Sequence, residues 1–284
     1  MYQYLKESSQ ASLLIKAQKS VFSSTVGEHG TFFKGLGSDF LELREYTTGD
    51  DIKHIDWIIS SKLDKPHVKV FREQKELNIV FIPLLNASLM FGTSRLKSET
   101  LKEILALLAF ASLKQQDAYS SYIYNSDIQL CTKKTKHMFS VREMIEKVNA
   151  VPLLGTGINY KELATTFYKT LHKPSLLFLV GDFLDADELD IGSLAHKHEI
   201  VIIIIRDRFE ENPNELGEIN ITDPLSGLNE SVDIDKKAVL KLKMKLLKDD
   251  ATLFAKLHKS GVKYLKIYTD EEPLVKLLPF MSSL

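Results

Sequence analysis

From residue 77 onward, short apolar runs alternate with stretches whose apolar residues recur at helical spacing. The runs at residues 77–85, 176–180 and 200–205 are almost continuously apolar, which is typical of strands covered on both faces of a sheet. The helical stretches between them are long enough to serve as crossover connections between parallel strands. This alternation predicts an α/β fold with a doubly wound, mostly parallel sheet.

Shorter patterns predict the remaining elements of this part of the chain. Residues 118–124 and 127–131 indicate two strands that pair through the short turn between them. Residues 210–233 are rich in Pro, Gly and Asn, so a loop or a small hairpin is expected there. Three further elements are predicted: a lysine-rich helix at about residues 235–258, a strand at residues 263–268 and a terminal helix.

The first 76 residues have a different character, because an amphipathic start is followed by a Gly-rich stretch and then by sequence without a clear period. We expect this part to be an irregular N-terminal segment packed on the main domain. The predicted division is therefore residues 1–76 for the N-terminal segment and residues 77–284 for the α/β domain.

Composition and charge limit the classes of partner. The 284 residues include 37 basic and 38 acidic side chains, so the bulk charge gives no attraction to nucleic acid or anionic lipid, although a local basic patch is allowed. Cys131 is the single cysteine, which excludes an internal disulfide and a cysteine-based zinc site. The longest strongly apolar run, residues 200–205, is too short to span a bilayer. We expect a soluble cytoplasmic protein with no membrane span and no nucleic-acid partner.

The N-terminal segment contains a dense series of uncommon residues at fixed spacing. The series is Asp39-Phe40, Arg44-Glu45-Tyr46, Gly49-Asp50-Asp51, Lys53 and Ile55-Asp56-Trp57. It resembles the signature of the bacterial domain-of-unknown-function family 58, and the resemblance extends over most of the chain. The resemblance implies a von Willebrand factor A-like domain, which agrees with the α/β pattern predicted from the apolar runs.

The same resemblance implies a role. Proteins of this family are typically encoded beside MoxR-type AAA+ ATPases and are thought to act with them on other protein complexes. We therefore expect a non-enzymatic scaffold or adaptor that binds a MoxR-type AAA+ ATPase and an unknown client protein. Its contact surfaces would be the N-terminal signature and the edge of the sheet formed by the carboxyl ends of the strands.

A von Willebrand factor A-like domain implies a site for Mg²⁺ or a similar cation, built from an Asp-x-Ser-x-Ser turn, a Thr and a second Asp. The corresponding positions here are Leu85, Asn86, Ala87, Ser88 and Leu89 in the turn, Thr156 or Ile158 in a later loop, and Asp182. The turn has lost its Asp and both Ser ligands, and a shift of one residue offers only neutral Asn86 and Ser88. One carboxylate does not replace the hydration shell of a divalent cation. The site is predicted to be degenerate, with no cofactor.

Two alternatives remain open at this stage. A metal-dependent hydrolase would use the acidic cluster of Asp39, Glu42, Glu45, Asp50, Asp51 and Asp56, with His54 nearby. The favoured interpretation of that cluster is structural, because Arg44, Lys53 and Lys62 are interleaved with it; Asp56 and Trp57 would then lock the segment onto the domain. The second alternative is a metal-dependent A-domain binder, which needs an intact ion site.

Two further groups of side chains are interpreted as structural. In the lysine-rich helix, apolar positions 240, 244 and 247 fit a core face, which would leave the lysines solvated. The alternative is a basic amphipathic helix that binds acidic partners or membrane surfaces. His196 and His198 precede an apolar strand and are expected to be a solvent-exposed pair.

Overall fold

A computed structural model describes residues 2–23, 40–48, 50, 52, 55–63, 65–71, 78–223 and 225–284. Its strands are β1 (Phe40–Glu45), β2 (His67–Phe71), β3 (Ile79–Pro83), β4 (Tyr119–Tyr124), β5 (Ile128–Thr135), β6 (Leu176–Gly181), β7 (Glu199–Arg206), β8 (Gly217–Thr222), β9 (Asn229–Ile234) and β10 (Lys263–Tyr268). Its helices are α1 (Tyr2–Ser23), α2 (Trp57–Leu63), α3 (Lys97–Lys114), α4 (Phe139–Ala150), α5 (Tyr160–Thr170), α6 (Gly192–Lys197), α7 (Arg208–Glu211), α8 (Lys236–Lys259) and α9 (Pro273–Ser282), and a 3₁₀ turn spans Ala87–Met90.

Six strands form the central sheet in the order β10-β7-β6-β3-β4-β5. All neighbouring pairs are parallel except β4 and β5, which form an antiparallel hairpin at one edge. The prediction of a mostly parallel sheet is confirmed, as is the pairing of the strands before and after Asn125.

The sheet separates two hydrophobic cores, because side chains of a strand point alternately to its two faces. In β7, Val201, Ile203 and Ile205 belong to one core, whereas the intervening isoleucines belong to the other. Helices α1, α3, α4 and α9 cover the first face, and α5, α6 and α8 cover the second. The nearly continuous apolar sequence of β3, β6 and β7 follows from this burial on both sides.

The order of the strands creates a topological switch point between β3 and β6. The chain passes from β3 to β4 on one side, and β6 later returns to the other side of β3. Open α/β sheets bind ligands in the crevice outside the carboxyl ends of the strands at such a point. The fold therefore directs attention to the residues that follow β3 and β6.

The N-terminal segment is more regular than the sequence analysis predicts. Helix α1 packs on α3 and contributes Ala17 and Val21 to the first core, while β1 and β2 form an antiparallel pair next to α2. The expectation of an irregular segment is therefore wrong for the residues that the structure describes. The boundary between residues 76 and 77 lies at the end of an undescribed stretch and stays a prediction.

Helix α8 also differs from its sequence interpretation. Leu253 and Leu257 in its second half are buried, whereas Leu240, Met244 and Leu247 in its first half are exposed to 61%, 61% and 58%. A helix of 24 residues is about 36 Å long, but a strand of six residues such as β10 spans only about 20 Å. The helix is thus longer than the sheet it covers, and the predicted core face at positions 240, 244 and 247 is wrong.

The histidine pair is also partly misjudged. His196 is exposed, but His198 is buried at the start of β7, and both of its ring nitrogens lack a hydrogen-bond partner within the described part of the chain. Burial lowers the pKa of His198 below its ordinary value, and the charge of Lys197 acts in the same direction.

None of the helices in the described ranges combines the length and the apolar character needed to cross a bilayer. Between β7 and α8, β8 and β9 form the antiparallel hairpin expected in residues 210–233. Its connection contains Leu225, whose Cδ1 would lie 3.8 Å from a Cβ added to Gly157. This contact brings the hairpin connection next to the loop before α5.

Candidate functional site at the carboxyl edge of the sheet

Asp182 directly follows β6 at the switch point and is 1% exposed. It is preceded by Gly181, where a Cβ would lie only 2.9 Å from the Cβ of Leu84. Glycine therefore allows β3 and β6 to approach closely at this edge. The prediction that Asp182 lies at the end of a strand is confirmed.

The turn after β3 lies against Asp182. The side-chain amide of Asn86 donates to Asp182 Oδ1 at 3.2 Å, and the hydroxyl of Ser88 donates to Asp182 Oδ2. Leu85, Ala87 and Leu89, the positions at which the family resemblance predicts lost oxygen ligands, are buried apolar residues. The side chains that reach the carboxylate are therefore Asn86 and Ser88, the pair offered by the alignment shifted by one residue.

The loop that contains Thr156 contributes a backbone carbonyl to the site but no side-chain oxygen. The carbonyl of Thr156 accepts a hydrogen bond from the Ala87 amide at 2.9 Å, but its hydroxyl donates to the Leu153 carbonyl at 2.6 Å. Ile158 is half-buried against the second core. The loop lies beside the turn, as expected, without directing a side-chain oxygen to Asp182.

A lysine lies against the carboxylate. Lys97, the first residue of α3, is 0% exposed, and its Nζ is 3.1 Å from Asp182 Oδ2. The same ammonium is 2.6 Å from Glu210 Oε1. A buried charge is tolerated only when it is paired and hydrogen-bonded, and Lys97 has two carboxylates that satisfy this condition.

Asp182 remains ionised in this environment. Its burial alone would raise the pKa, but the charge of Lys97, the Ser88 hydroxyl and the charge of Arg206 outweigh that effect and lower the pKa below its ordinary value. Burial and the nearby charge of Asp182 raise the pKa of Tyr160 well above its ordinary value. The hydroxyl of Tyr160 and Oδ1 of Asn86 are buried and lack a partner within the described residues.

A second set of charges continues along the edge towards β10. Arg206, the last residue of β7, donates through Nη1 to the Asp182 carbonyl and through Nη2 to Asp250 at 2.7 Å. Asp250 also accepts from Lys266 at 2.7 Å, and Lys266 pairs with Glu211 at 2.8 Å. The residue after β6 and residues of β7, α7, α8 and β10 are thus joined by one polar network.

Asp207 closes the same edge. Its carboxylate accepts from the Thr93 amide at 2.7 Å, the Thr269 hydroxyl at 2.6 Å and the Phe209 amide at 2.9 Å. Burial would raise the pKa of Asp207, but these hydrogen bonds lower it below the ordinary value. Glu210 accepts from the Asp207 amide at 3.0 Å while it holds Lys97. Every carboxylate of this network therefore has a hydrogen-bond or ion-pair partner within the protein.

Four residues of this network, Lys97, Arg206, Asp207 and Glu210, were not predicted from the sequence. The Arg-Asp pair that ends the most apolar run was a usable signal, because polar residues at the carboxyl end of a buried strand reach this edge. Lys97 had no comparable signal, since it lies 85 positions before Asp182 in the sequence.

The N-terminal signature is held by a different ion pair. Arg44 binds Asp50 through both guanidinium nitrogens, at 2.8 and 2.7 Å, and the Thr47 amide donates to Asp50 at 2.9 Å. The Arg44 side chain and the Thr47 amide lower the pKa of Asp50 far below its ordinary value. Glu45 pairs with Lys65 at 2.8 Å, and the Tyr46 amide donates to the Pro66 carbonyl. These contacts are those of the predicted salt-bridge and turn network.

The end of the signature forms the start of α2. Asp56 Oδ1 accepts from the Ile58 and Ile59 amides, as an N-cap does. Trp57 is 66% exposed and the adjacent Ile58 is 72% exposed. The expectation that Trp57 locks the segment onto the domain is therefore wrong. The backbone of Asp39, Gly49, Asp51, Lys53 and His54, and the side chain of Phe40, lie outside the described residues.

A divalent cation does not fit the residues at the sheet edge. The turn after β3 buries the aliphatic side chains of Leu85, Ala87 and Leu89, and an ammonium already contacts Asp182. Throughout the described residues, no group of three or more His, Cys, Asp or Glu side chains is arranged to hold a metal ion. Within the N-terminal acidic cluster, Asp50 and Glu45 instead pair with cations, and Asp56 caps backbone amides.

The family model described as protein of unknown function DUF58 matches residues 42–250, which include the signature from Glu42 onward and the sheet-edge network up to Asp250. The chain belongs to this family. The region matched to DUF58 begins in β1 and ends in α8. It therefore includes the N-terminal signature from Glu42 onward and the carboxyl edge of the sheet.

Similar proteins align with nearly the whole length of this DUF58 protein. Uncharacterized proteins of Mycobacterium tuberculosis and Mycobacterium bovis are each 23% identical over 273 residues, covering 90% of this chain and 83% of the relative. Among solved structures, the conserved hypothetical protein BatB of Bacteroides thetaiotaomicron aligns with 9% identity and a TM-score of 0.44, over 73% of this chain and 100% of that one.

Proposed function

We propose that this DUF58 protein is a non-enzymatic interaction module with a von Willebrand factor A-like domain that binds a partner at the carboxyl edge of its sheet without a bridging metal ion. The observation that carries the proposal is the buried pair of Lys97 and Asp182. A protein-bound ammonium supplies the positive charge that a cation would supply to this carboxylate, so the edge keeps its shape without an ion.

The surface around the pair is suited to contact with another protein. Met90 ends the 3₁₀ turn and Phe91 follows it; they are 42% and 39% exposed, and the Phe91 carbonyl accepts from the amide of Lys97 in the buried network. Oδ1 of Asn86 and the hydroxyl of Tyr160, which lack partners among the described residues, lie in the same region. Buried polar atoms without hydrogen-bond partners are uncommon in folded proteins. These features support binding at the edge.

The exposed Trp57 and Ile58 of the signature support a second contact surface. Aromatic residues are over-represented among the side chains that dominate binding energy at protein interfaces. Asp56 fixes the first turn of α2, so Trp57 is presented from an ordered position. The family resemblance suggests the partners: a MoxR-type AAA+ ATPase and a client protein on which the two act.

The proposal is tested with the purified chain and the MoxR-type ATPase of the same bacterium. Immobilised protein is expected to retain the ATPase, and Trp57→Asp and Met90→Asp are each expected to weaken retention at least tenfold. Phe139→Asp is a matched control, because Phe139 is 63% exposed and begins α4, which follows the end of antiparallel β5 at the opposite edge of the sheet. Failure to recover any AAA+ ATPase with the tagged chain from native cells would overturn the partnership.

A further inference from the structure

The first half of α8 projects beyond the sheet. Asp250 pairs with Arg206, the last residue of β7, and therefore marks the level of the carboxyl edge. The 14 residues of α8 before Asp250 extend for about 21 Å past that level. This projecting part is fixed at its start by Asp235, whose side chain accepts from the Ala238 amide at 2.7 Å.

The projecting helix has an apolar stripe that faces away from the core. Leu240, Met244 and Leu247 fall within about 60° of each other around the helix axis, and their direction differs by about 120° from that of Leu253 and Leu257. All three stripe residues are more than half exposed. A stripe of this kind is normally buried against something.

Lysines border the stripe on both sides. Lys237, Lys241 and Lys248 lie along one flank, and Lys236 and Lys243 lie along the other. Lys243 contacts Asn212 and Lys245 contacts Asp185. Lys236, Lys237, Lys241 and Lys248 have no ion-pair partner among the residues that the structure describes. From residue 235 to residue 249, six lysines stand against two aspartates, although the net charge of the chain is −1.

The same outer face continues into a shallow basic depression beyond the stripe. Its lining is Lys248, Ala251, Thr252, Ala255, Lys256 and Lys259. The small side chains leave room for an anionic group beside Lys248 or Lys259, whereas Lys256 donates to the Asp187 carbonyl. Apolar side chains and a site for anionic groups therefore follow one another along a single helix face.

We infer that α8 is a peripheral membrane-binding surface for bilayers that contain anionic phospholipid. The leucines and Met244 would enter the boundary between headgroups and acyl chains, and the bordering lysines would contact lipid phosphates. This inference goes beyond the proposed adaptor function and does not depend on it, because it concerns a different surface and a different partner.

Two other occupants suit the surface less well. A second copy would bring one row of lysines against another, which is repulsive. A stable protein interface involves about 20–30 residues a side, but three apolar side chains spread over about 10 Å form only a small part of that. A planar anionic surface contacts both rows of lysines at the same time, and it needs only a few inserted apolar side chains.

The test is sedimentation of the full chain with phosphatidylglycerol–phosphatidylcholine vesicles and with phosphatidylcholine vesicles alone. Binding is expected only to the anionic vesicles and is expected to weaken as salt is added. Combined Lys237→Glu, Lys241→Glu and Lys248→Glu changes are expected to reduce binding by at least about a hundredfold, since each lysine near an anionic surface contributes about fivefold.

Matched controls separate the surface from the charge of the whole protein. Combined Lys161→Glu, Lys169→Glu and Lys173→Glu changes alter the net charge equally at exposed positions elsewhere, and they are expected to retain most of the binding. Combined Leu240→Ser, Met244→Ser and Leu247→Ser changes are expected to lower binding by at least about tenfold. Because these side chains are exposed, the variants are expected to keep the far-ultraviolet circular dichroism of the parent protein.

The inference is overturned if anionic vesicles do not bind, or if both lysine triples lower binding equally. It is also overturned if the Leu240 triple converts a dimer to a monomer in sedimentation experiments, because the stripe would then bind a second copy. Loss of vesicle binding with retention of the ATPase would separate this surface from the proposed adaptor role.

Discussion

Lys97 and Asp182 form an ion pair in which neither side chain has meaningful access to solvent, with 3.1 Å between Nζ and Oδ2. The pair joins the first residue of α3 to the residue after β6, and Glu210 completes the contacts of the ammonium. Its position at the switch point means that the fold, the electrostatics and the candidate binding surface depend on the same two residues.

Removal of the ammonium is expected to be costly. Lys97→Met keeps the length of the side chain but removes the cation from buried Asp182 and partly buried Glu210, and breaking a buried pair costs about 3–5 kcal/mol. Urea unfolding followed by circular dichroism measures the free energy of unfolding. Lys237→Met at an exposed position is expected to change it by less than about 0.5 kcal/mol. Equal stability of the two variants would contradict the structural role of Lys97.

Divalent cations are expected to have no effect on the wild-type protein. Ligand binding to the native state raises the unfolding temperature, so Mg²⁺, Mn²⁺ or Ca²⁺ would do so if the edge bound them. We expect the same unfolding temperature with each cation and with a chelator, and no heat of binding in calorimetry. Micromolar binding that disappears in Asp182→Ala would instead support a metal-dependent A-domain binder.

His198 is expected to make stability depend on pH. Burial lowers its pKa in the folded state, so below about pH 6.5 the unfolded chain binds a proton that the folded chain does not. The contribution of neutral His198 to the free energy of unfolding is therefore complete above that pH. It is lost as the pH falls towards the lower pKa of the folded state. His198→Gln is expected to flatten the unfolding free energy between about pH 6.5 and 5, whereas exposed His196→Gln should leave the slope intact.

Trp57 is the one tryptophan of the chain and is expected to report directly on the signature surface. Because it is 66% exposed, its fluorescence is expected to be red-shifted and readily quenched by acrylamide. Addition of the proposed ATPase should shift the emission to the blue and protect it from the quencher. Unchanged fluorescence on addition of an ATPase that nevertheless binds would remove Trp57 from the interface.

The sequence predicted the sheet well because strands buried on both faces must be apolar throughout, and β3, β6 and β7 satisfy that condition locally. It failed for α8, where positions 240, 244 and 247 have the spacing of a core face. The length of the sheet, which local sequence does not contain, decides that only the later turns of α8 are covered.

The candidate site was predicted only in part for a related reason. Asp182 was expected from the family resemblance and from its place after a strand, but its partners Lys97 and Glu210 are distant in the sequence. The degenerate character of the turn stays a prediction from the family resemblance. The ammonium beside Asp182 depends on the three-dimensional arrangement of α3, β6 and α7, which local sequence does not contain.

The central sheet ends in β5 on one side and β10 on the other. Lys133 and Lys134 lie in the first of these strands, and Lys263 and Lys266 lie in the second. Charged side chains on outer strands, lysine above all, discourage a neighbouring chain from adding a strand of its own. The central sheet is thereby protected at both sides against growing into a continuous intermolecular sheet, so contacts with other proteins are directed to its carboxyl edge and helices instead of its outer strands.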